Sequence, residues 1–277
     1  MVKLKITKEA QLEQNLIELL CEGHGQWTYR PDLKSEADLW RNLRDKIENR
    51  NKSELDGHDL TDSEFERIKS EILASTKTPF DAAKWLRGEK GKCSIILERD
   101  NGLGRIELVV YSNLEKNGGF SSYEIVNQIA KGSSKLEERE RRFDVTLLIS
   151  GLPIIQIELK TAIAKDGVKQ AYYQIEKYVD EGTFSNTIFQ TLQLFVISNE
   201  QTTRYMAAAS KGELQEKFMF SWRTRDNTKV ENINEFAKQV LNIPRAHELV
   251  SEYMIVSEEP SNKVLMVLHP RSEERRV

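Results

Sequence analysis

Cysteine is scarce in this chain: Cys21 and Cys93 stand far apart in 277 residues. That excludes a disulfide framework and a four-cysteine zinc site. Cys21 and His24 lie three apart, but two ligands alone make a poor metal site, and ordinary packing accounts for the pair. Long apolar runs are also missing, so no segment has the ~20 residues needed to span a bilayer. The first twenty residues carry acids within their apolar periodicity and have no signal-peptide cleavage pattern. These absences point to a reducing cytoplasm and to no membrane partner. Basic excess is lacking too: the formal net charge is −3, which argues against a broad basic surface but leaves room for a local basic stripe. "KLEERERR", residues 135–142, mixes both signs and reads as a solvated helix end or loop. There is no internal repeat and no low-complexity linker. A phosphate loop of the GxxxxGK[ST] type is absent as well. The nearest stretch, "RGEKGKCS", has Leu86 in place of the first glycine and Cys93 in place of the hydroxyl residue.

What is present begins with helix. Leu12, Leu16, Ile17, Leu19 and Leu20 keep helical spacing and predict an amphipathic helix over 7–22. "DLWRNLRDKIENRN" predicts a second, with Leu39, Leu43 and Ile47 at four-residue steps. "LTDSEFERIKSEILAS" predicts a third, with Thr61 and Glu64 as a capping box. The pattern changes after "TKTPFDAAKWLRG". "KCSIILERD" and "RIELVVYSN" are β-branched runs joined through Asn101-Gly102, a hairpin signal. "NGGFSSYEIVNQIA" turns and continues extended. Two apolar strands, 143–149 and 154–159, follow around Ser150-Gly151. "DGVKQAYYQIEKYVDE" predicts a helix, "TLQLFVISN" a buried strand, "TTRYMAAA" an extended return, "FMFSW" a strand, and "VENINEFAKQVLN" a helix stopped near Pro244. The sum is one α/β domain with a helical N-terminal portion and a central mixed sheet.

The two strands around Ser150 carry polar groups where core is expected. Asp144 opens the first, and Glu158 and Lys160 close the second on a shared face with Gln156. Bare burial of such groups is expensive. One reading is a surface ion pair between Glu158 and Lys160, worth about 0–1 kcal/mol, which leaves Asp144 unexplained. The other is a metal-dependent phosphodiester-cleaving site. Mg²⁺ favours oxygen ligands, often one or two carboxylates with water and phosphate, and Asp144 and Glu158 supply the carboxylates. Lys160 adds positive charge beside the attacking water or the phosphate oxygens. Gln174 and Tyr178, four apart, share a helix face that can turn toward the strand ends, to hold phosphate or orient Lys160.

"RFDVTLLISGLPIIQIELK" resembles the nuclease motif of the restriction (R) subunit of type I restriction–modification enzymes, of the PD-(D/E)xK pattern, with Phe143 where the proline would stand. "QIEKY" resembles the QxxxY element of the RecB-like subgroup. "FQTLQLFVISNEQTTRYMAAA" and "FMFSW" resemble the same subunit, and the likeness covers roughly residues 105–242. The resemblance implies a restriction-endonuclease-like mixed sheet flanked by helices and Mg²⁺-dependent cleavage of double-stranded DNA, the chemistry of a type I site-specific deoxyribonuclease. It implies Asp144 and Glu158 as metal ligands, Lys160 as the catalytic lysine, and Gln174 and Tyr178 as accessory residues. Glu9 or Glu13 on the first helix is a further candidate, although an exposed acid on an amphipathic helix is the simpler expectation. The family's partners are methyltransferase and specificity subunits. Its ATP-driven motor would follow the nuclease, so residues 1–260 are expected to form the nuclease domain and 261–277 the start of a segment leading to a motor absent from this fragment. A non-catalytic docking module and a RecB-like exonuclease are the alternative readings.

One geometric requirement follows. A two-residue turn at Ser150-Gly151 in a regular hairpin sets Asp144 near Ile157 and turns it away from Glu158. A shared metal site therefore predicts an odd-length loop or a β-bulge near Asp144.

Overall fold

A computed structural model describes residues 7–22, 26–116, 119–130, 142–162, 164, 166–259 and 262–268. The first helix, α1 (Lys8–Cys21), is started by Thr7, whose side chain accepts from the Ala10 N–H, and it buries Leu12, Leu16, Ile17 and Leu20. A short strand, β1 (Thr28–Tyr29), leads to α2 (Glu36–Arg50), which opens on a capping box between Ser35 and Asp38. After one turn of helix, α3 (Lys52–Leu55), comes α4 (Asp62–Ser75), with Thr61 and Glu64 as its capping box. The "TPFDAAKWLRG" segment is itself a helix, α5 (Pro79–Arg87). Its signals are local: Thr78 caps it, Pro79 fits the first turn, and Gly88 ends it. At Gly88 φ is +57°, and a Cβ would sit 1.9 Å from the Lys92 carbonyl oxygen, so glycine is required there.

The strands β2 (Lys92–Glu98) and β3 (Arg105–Ser112) form the expected hairpin, as a separate two-stranded sheet. The main sheet has six strands among the described residues, in the order β1, β4 (Tyr123–Ala130), β5 (Arg142–Ile149), β6 (Leu152–Leu159), β7 (Leu194–Ser198), β8 (Thr203–Ala207). It is mixed: β1–β4 and β6–β7 run parallel, the other pairs antiparallel. The parallel step from β6 to β7 is bridged by α6 (Gly167–Asp180), as parallel pairing demands. Near the C-terminal end, short pairs β9 (Trp222–Arg223) with β10 (Lys229–Val230) and β11 (Met254–Glu259) with β12 (Asn262–Val267) flank the helices α7 (Ile233–Phe236) and α8 (Arg245–Glu252). The expected "FMFSW" strand is broken. Phe218 ends a 3₁₀ turn and Phe220 makes an isolated bridge to Tyr205, while strand resumes only at Trp222. The residue 260/261 boundary falls between the paired strands β11 and β12.

The centre of the sheet explains why polar groups there matter. All eight residues of β6 are buried. Ile155, Ile157 and Leu159 contribute about 1.5–3 kcal/mol each by leaving water, and the alternate positions Gln156 and Glu158 are equally enclosed. Glu158 is therefore not part of a surface ion pair. Among the described residues, no helix is long and apolar enough to cross a membrane. "KLEERERR" lies outside the described residues except for Arg142, and His24 lies outside them too.

Candidate functional site

The turn between β5 and β6 is the two-residue type. Ser150 and Gly151 both have positive φ, +53° and +82°, and Ile149 faces Leu152. A regular ladder from that turn would separate Asp144 from Glu158. The ladder is not regular: Leu148 faces Pro153 but Leu147 faces Ile155, so Ile154 is an extra residue on β6. Beyond this bulge Val145 faces Ile157. Carried one step further outward, that register sets Asp144 across from Glu158, on one face. The irregularity required by a shared site is present, but it sits beside the turn instead of beside Asp144. Its carbonyls are satisfied from the segment just before β7: the Gln193 N–H donates to Ile154 O at 2.9 Å and Thr191 Oγ1 to Pro153 O at 2.7 Å.

The other neighbour of Asp144 is also distorted. Asn127 faces Val145 and Ile129 faces Phe143, with Gln128 between them at φ +54°. A non-glycine residue in that region costs about 1–2 kcal/mol, and such strain concentrates at functional sites. Gln128 uses the conformation to donate from Nε2 to Glu13 Oε1 at 2.7 Å.

The Asp144 and Glu158 carboxyl groups act on each other directly, and their contact favours the charged form of Asp144 and the neutral form of Glu158. Burial raises Asp144 above the ordinary aspartate range, against the opposing pull of the Leu159 N–H, 2.8 Å from Oδ2, and of the Lys160 charge. Complete burial, then the adjacent Asp144, raises Glu158 well above the ordinary glutamate range. Gln174 Nε2 donates to Glu158 Oε2 at 2.8 Å and to Tyr178 Oη at 2.7 Å. Gln156 approaches Glu158 Oε1 at 3.4 Å and is itself held by Thr146 Oγ1, which donates to its Oε1 at 2.7 Å. Lys160 follows β6 directly, its backbone N–H bonded to Ser198 O at 2.8 Å, and its charge favours the ionised form of both acids. The start of α6 packs closely here: a Cβ on Gly167 would lie 3.3 Å from that of Lys160 and 3.0 Å from that of Asn199. Tyr178 stacks edge-on to Phe143 at 5.4 Å between ring centroids, so a phenyl ring occupies the position expected of proline and supports the QxxxY helix.

The five residues singled out in the sequence thus gather at one end of β5 and β6. The hydrogen bonds of Gln174 run to Glu158 and Tyr178, so its visible task is to hold the glutamate. Glu13 departs from the exposed acid expected on α1. It is buried, accepts from Gln128 and, at 3.3 Å, from Asn127 Nδ2. Burial raises its carboxyl, the two amides offset part of that, and the charge of Asp144 adds to the rise. Glu9 is exposed, within electrostatic range of both Glu13 and Asp144. Among the described residues, no three acidic, histidine or cysteine side chains converge closely enough to hold an ion. The compact unit is therefore the Asp144–Glu158 pair, with Glu13 set back from it. Sequence reasoning missed Asn127, Gln128 and Thr146, which have no motif of their own. The only local signal was an Asn-Gln pair interrupting the apolar "YEIVNQIA".

Comparison with known proteins bears on this arrangement. The family model described as "Type I restriction enzyme R protein N terminus" matches residues 6–214. The chain is 30% identical over 264 residues to the type I restriction enzyme SsaAORF53P endonuclease subunit of Staphylococcus saprophyticus, covering 95% of this chain and 26% of that protein. It is 29% identical over 243 residues to the SauMSSORF170P endonuclease subunit of Staphylococcus aureus strain MSSA476, covering 87% and 24%. It is 27% identical over 281 residues to the EcoprrI endonuclease subunit of Escherichia coli, covering 93% of this chain and 85% of that protein. The chain spans about a quarter of the length of the staphylococcal relatives.

Proposed function

Since the chain belongs to the family of type I restriction enzyme R protein N termini, we propose that it is the DNA-cleaving domain of such a subunit, a Mg²⁺-dependent PD-(D/E)xK endonuclease acting on double-stranded DNA. The observation that carries this reading is the buried Asp144–Glu158 pair, brought to one face by a bulge and flanked by Lys160. A buried like-charge pair has no structural merit of its own, because it must trap a proton or hold a cation. The donor set is all oxygen and suits a hard divalent ion. Asp144 and Glu158 are the residues that would hold it. When bound, such an ion screens the phosphodiester and lowers the pKa of a coordinated water.

The protein's own groups supply the rest. Gln174 and Gln156 fix the Glu158 carboxylate, so both acids are in place before substrate arrives. Lys160 places a positive charge where negative charge grows on the phosphoryl oxygens. Tyr178 and Phe143 lock the face of α6 that carries Gln174. Glu13 adds negative potential behind Asp144. Choice of DNA sequence would belong to a specificity subunit and modification to methyltransferase subunits in the assembled enzyme, all of them cytoplasmic. The test is nicking of closed circular plasmid by this chain with Mg²⁺, beside Asp144→Asn and Glu158→Gln controls. Closed circles have no ends, so their cleavage also separates an endonuclease from an exonuclease. Equal nicking by all three proteins would remove the proposal, and absence of Mg²⁺ binding in calorimetry would leave a docking role.

A further inference from the structure

Gln128 has its positive φ inside β4. Among the described residues no other non-glycine residue of positive φ stands within a strand; the rest occupy turns, loops and helix ends. A regular strand would point the side chains of Asn127 and Gln128 to opposite faces. Both nevertheless donate to one carboxylate, Gln128 Nε2 to Glu13 Oε1 at 2.7 Å and Asn127 Nδ2 to Glu13 Oε2 at 3.3 Å. The left-handed backbone at Gln128 brings these two successive amides to the same group. Asn127 is fixed from its other end: its Oδ1 accepts from Tyr29 Oη and from Lys34 Nζ, each at 2.9 Å, which leaves Nδ2 for Glu13. The register sets this clamp next to the acid pair. Asn127 faces Val145 and Ile129 faces Phe143, so Gln128 stands across from Asp144. Neither half of the arrangement favours folding. A left-handed glutamine inside a strand is strained. Glu13 is buried with both oxygens held by uncharged donors, so its charge is fixed in place and not cancelled. A fixed, uncancelled negative charge beside two further carboxylates serves a cation. The Asp144 charge already acts on Glu13.

We propose that Gln128 is a positioning residue for divalent-ion binding: its left-handed turn clamps Glu13 behind Asp144, where the glutamate charge strengthens the hold of the acid pair on the ion. This rests on the nuclease reading, in which Asp144 and Glu158 take Mg²⁺. Glu13 acts through its field and not as a ligand, since among the described residues no three acidic side chains converge closely enough to hold one ion. The clamp matters because field depends on place. A glutamate released to solvent would be hydrated and screened by salt, whereas one held in a buried setting keeps its full effect on its neighbours.

The experiment is calorimetric titration of this chain with Mg²⁺ at pH 8, without DNA, together with thermal melts in EDTA. Wild type is compared with Gln128→Gly, Glu13→Gln and the double variant. Glycine adopts positive φ without strain and brings no amide side chain. We expect Gln128→Gly to weaken Mg²⁺ binding about tenfold, the lower end of the effect of losing an outer-shell partner, with a melting temperature equal to or above that of wild type. Glu13→Gln should lose at least as much. In that background Gln128→Gly should cost nothing further, because the clamp then has no charge to hold. Unchanged affinity in Gln128→Gly, or the same tenfold loss in the Glu13→Gln background, overturns the proposal. A lowered melting temperature with affinity retained overturns it too and makes Gln128 a structural residue. No Mg²⁺ binding by wild type would overturn the clamp and the nuclease reading together. Wild-type binding and plasmid nicking with unchanged affinity in Gln128→Gly would overturn the clamp alone. Weakened binding in the variant with no nicking by wild type would retain the clamp and reject the nuclease.

Discussion

Replacing Glu158 with glutamine should stabilise the metal-free protein and abolish its response to Mg²⁺. Glu158 is fully buried, and its pKa is raised by burial and then by the adjacent Asp144. A carboxyl with a raised folded-state pKa binds more protons folded than unfolded. Stability then falls as pH rises through the interval between the two values, and the cost is fully present above the folded one. Glutamine carries no charge at any pH, so the variant escapes this loss. Its carbonyl oxygen still accepts from Gln174 Nε2, and its amide can donate to Asp144, so no partner is orphaned. Relief of a buried charge of this kind is worth about 1–2 kcal/mol, or roughly 2–8 °C in Tm for a domain of this size. The gain should shrink as pH falls and the wild-type Glu158 takes up its proton. Wild-type protein should also gain about 2.7 kcal/mol at Mg²⁺ a hundredfold above its Kd, and the variant almost none. Scanning calorimetry at pH 8 and pH 5, in EDTA and in Mg²⁺, reads all four values. A variant that melts below wild type in EDTA at pH 8 would refute the reasoning, since Glu158 would then be a structural acid.

Gln174→Ala should weaken Mg²⁺ binding about 10–100-fold by releasing Glu158; calorimetric titration giving an unchanged affinity would show that it acts elsewhere. His247 is buried with Nδ1 2.9 Å from Tyr123 Oη, and burial first, then the charges of Lys116 and Arg50, lower its pKa to about 4. The unfolded chain therefore takes up a proton that the folded one refuses. Urea melts should show stability falling by up to about 3 kcal/mol between pH 6.5 and pH 4 from this group, a loss that His247→Gln should remove. Glu64 pairs with buried Arg99 at 2.7 Å and also accepts from the Thr61 and Asp100 N–H groups. Burial pushes its carboxyl up, and these contacts more than offset that, holding it below the ordinary range. Glu64→Ala should cost about 3–5 kcal/mol by leaving the buried Arg99 charge without its carboxylate, its other bonds running to the His58 and Asp59 carbonyls, and a loss under 1 kcal/mol in urea melts would contradict it.

Much of the molecule was legible from local pattern. The periodicity of α1, α2 and α4 and the Thr61–Glu64 box are short-range signals, and the helices stand where those signals put them. α5 carried equally local signals in Thr78, Pro79 and Gly88. The acids, lysine, glutamine and tyrosine of the candidate site were also visible, because carboxylates in an apolar strand conflict with their surroundings. What only the tertiary structure decided is which of them meet. Strand alternation with the Ser150-Gly151 turn sets Asp144 and Glu158 apart. The bulge at Ile154 reverses that, and its carbonyls are held by Thr191 and Gln193, nearly forty residues away. Glu13 reads as a solvated helix acid until β4, more than a hundred positions on, supplies two amides and a buried setting. Lys34 is an ordinary surface lysine until Asn127 holds it beside the same cluster. A side chain's type and its period are properties of neighbouring residues, so sequence carries them. Register shifts and burial of a charged group depend on distant strands satisfying backbone and carboxylate, and those partners become neighbours only when the sheet has formed.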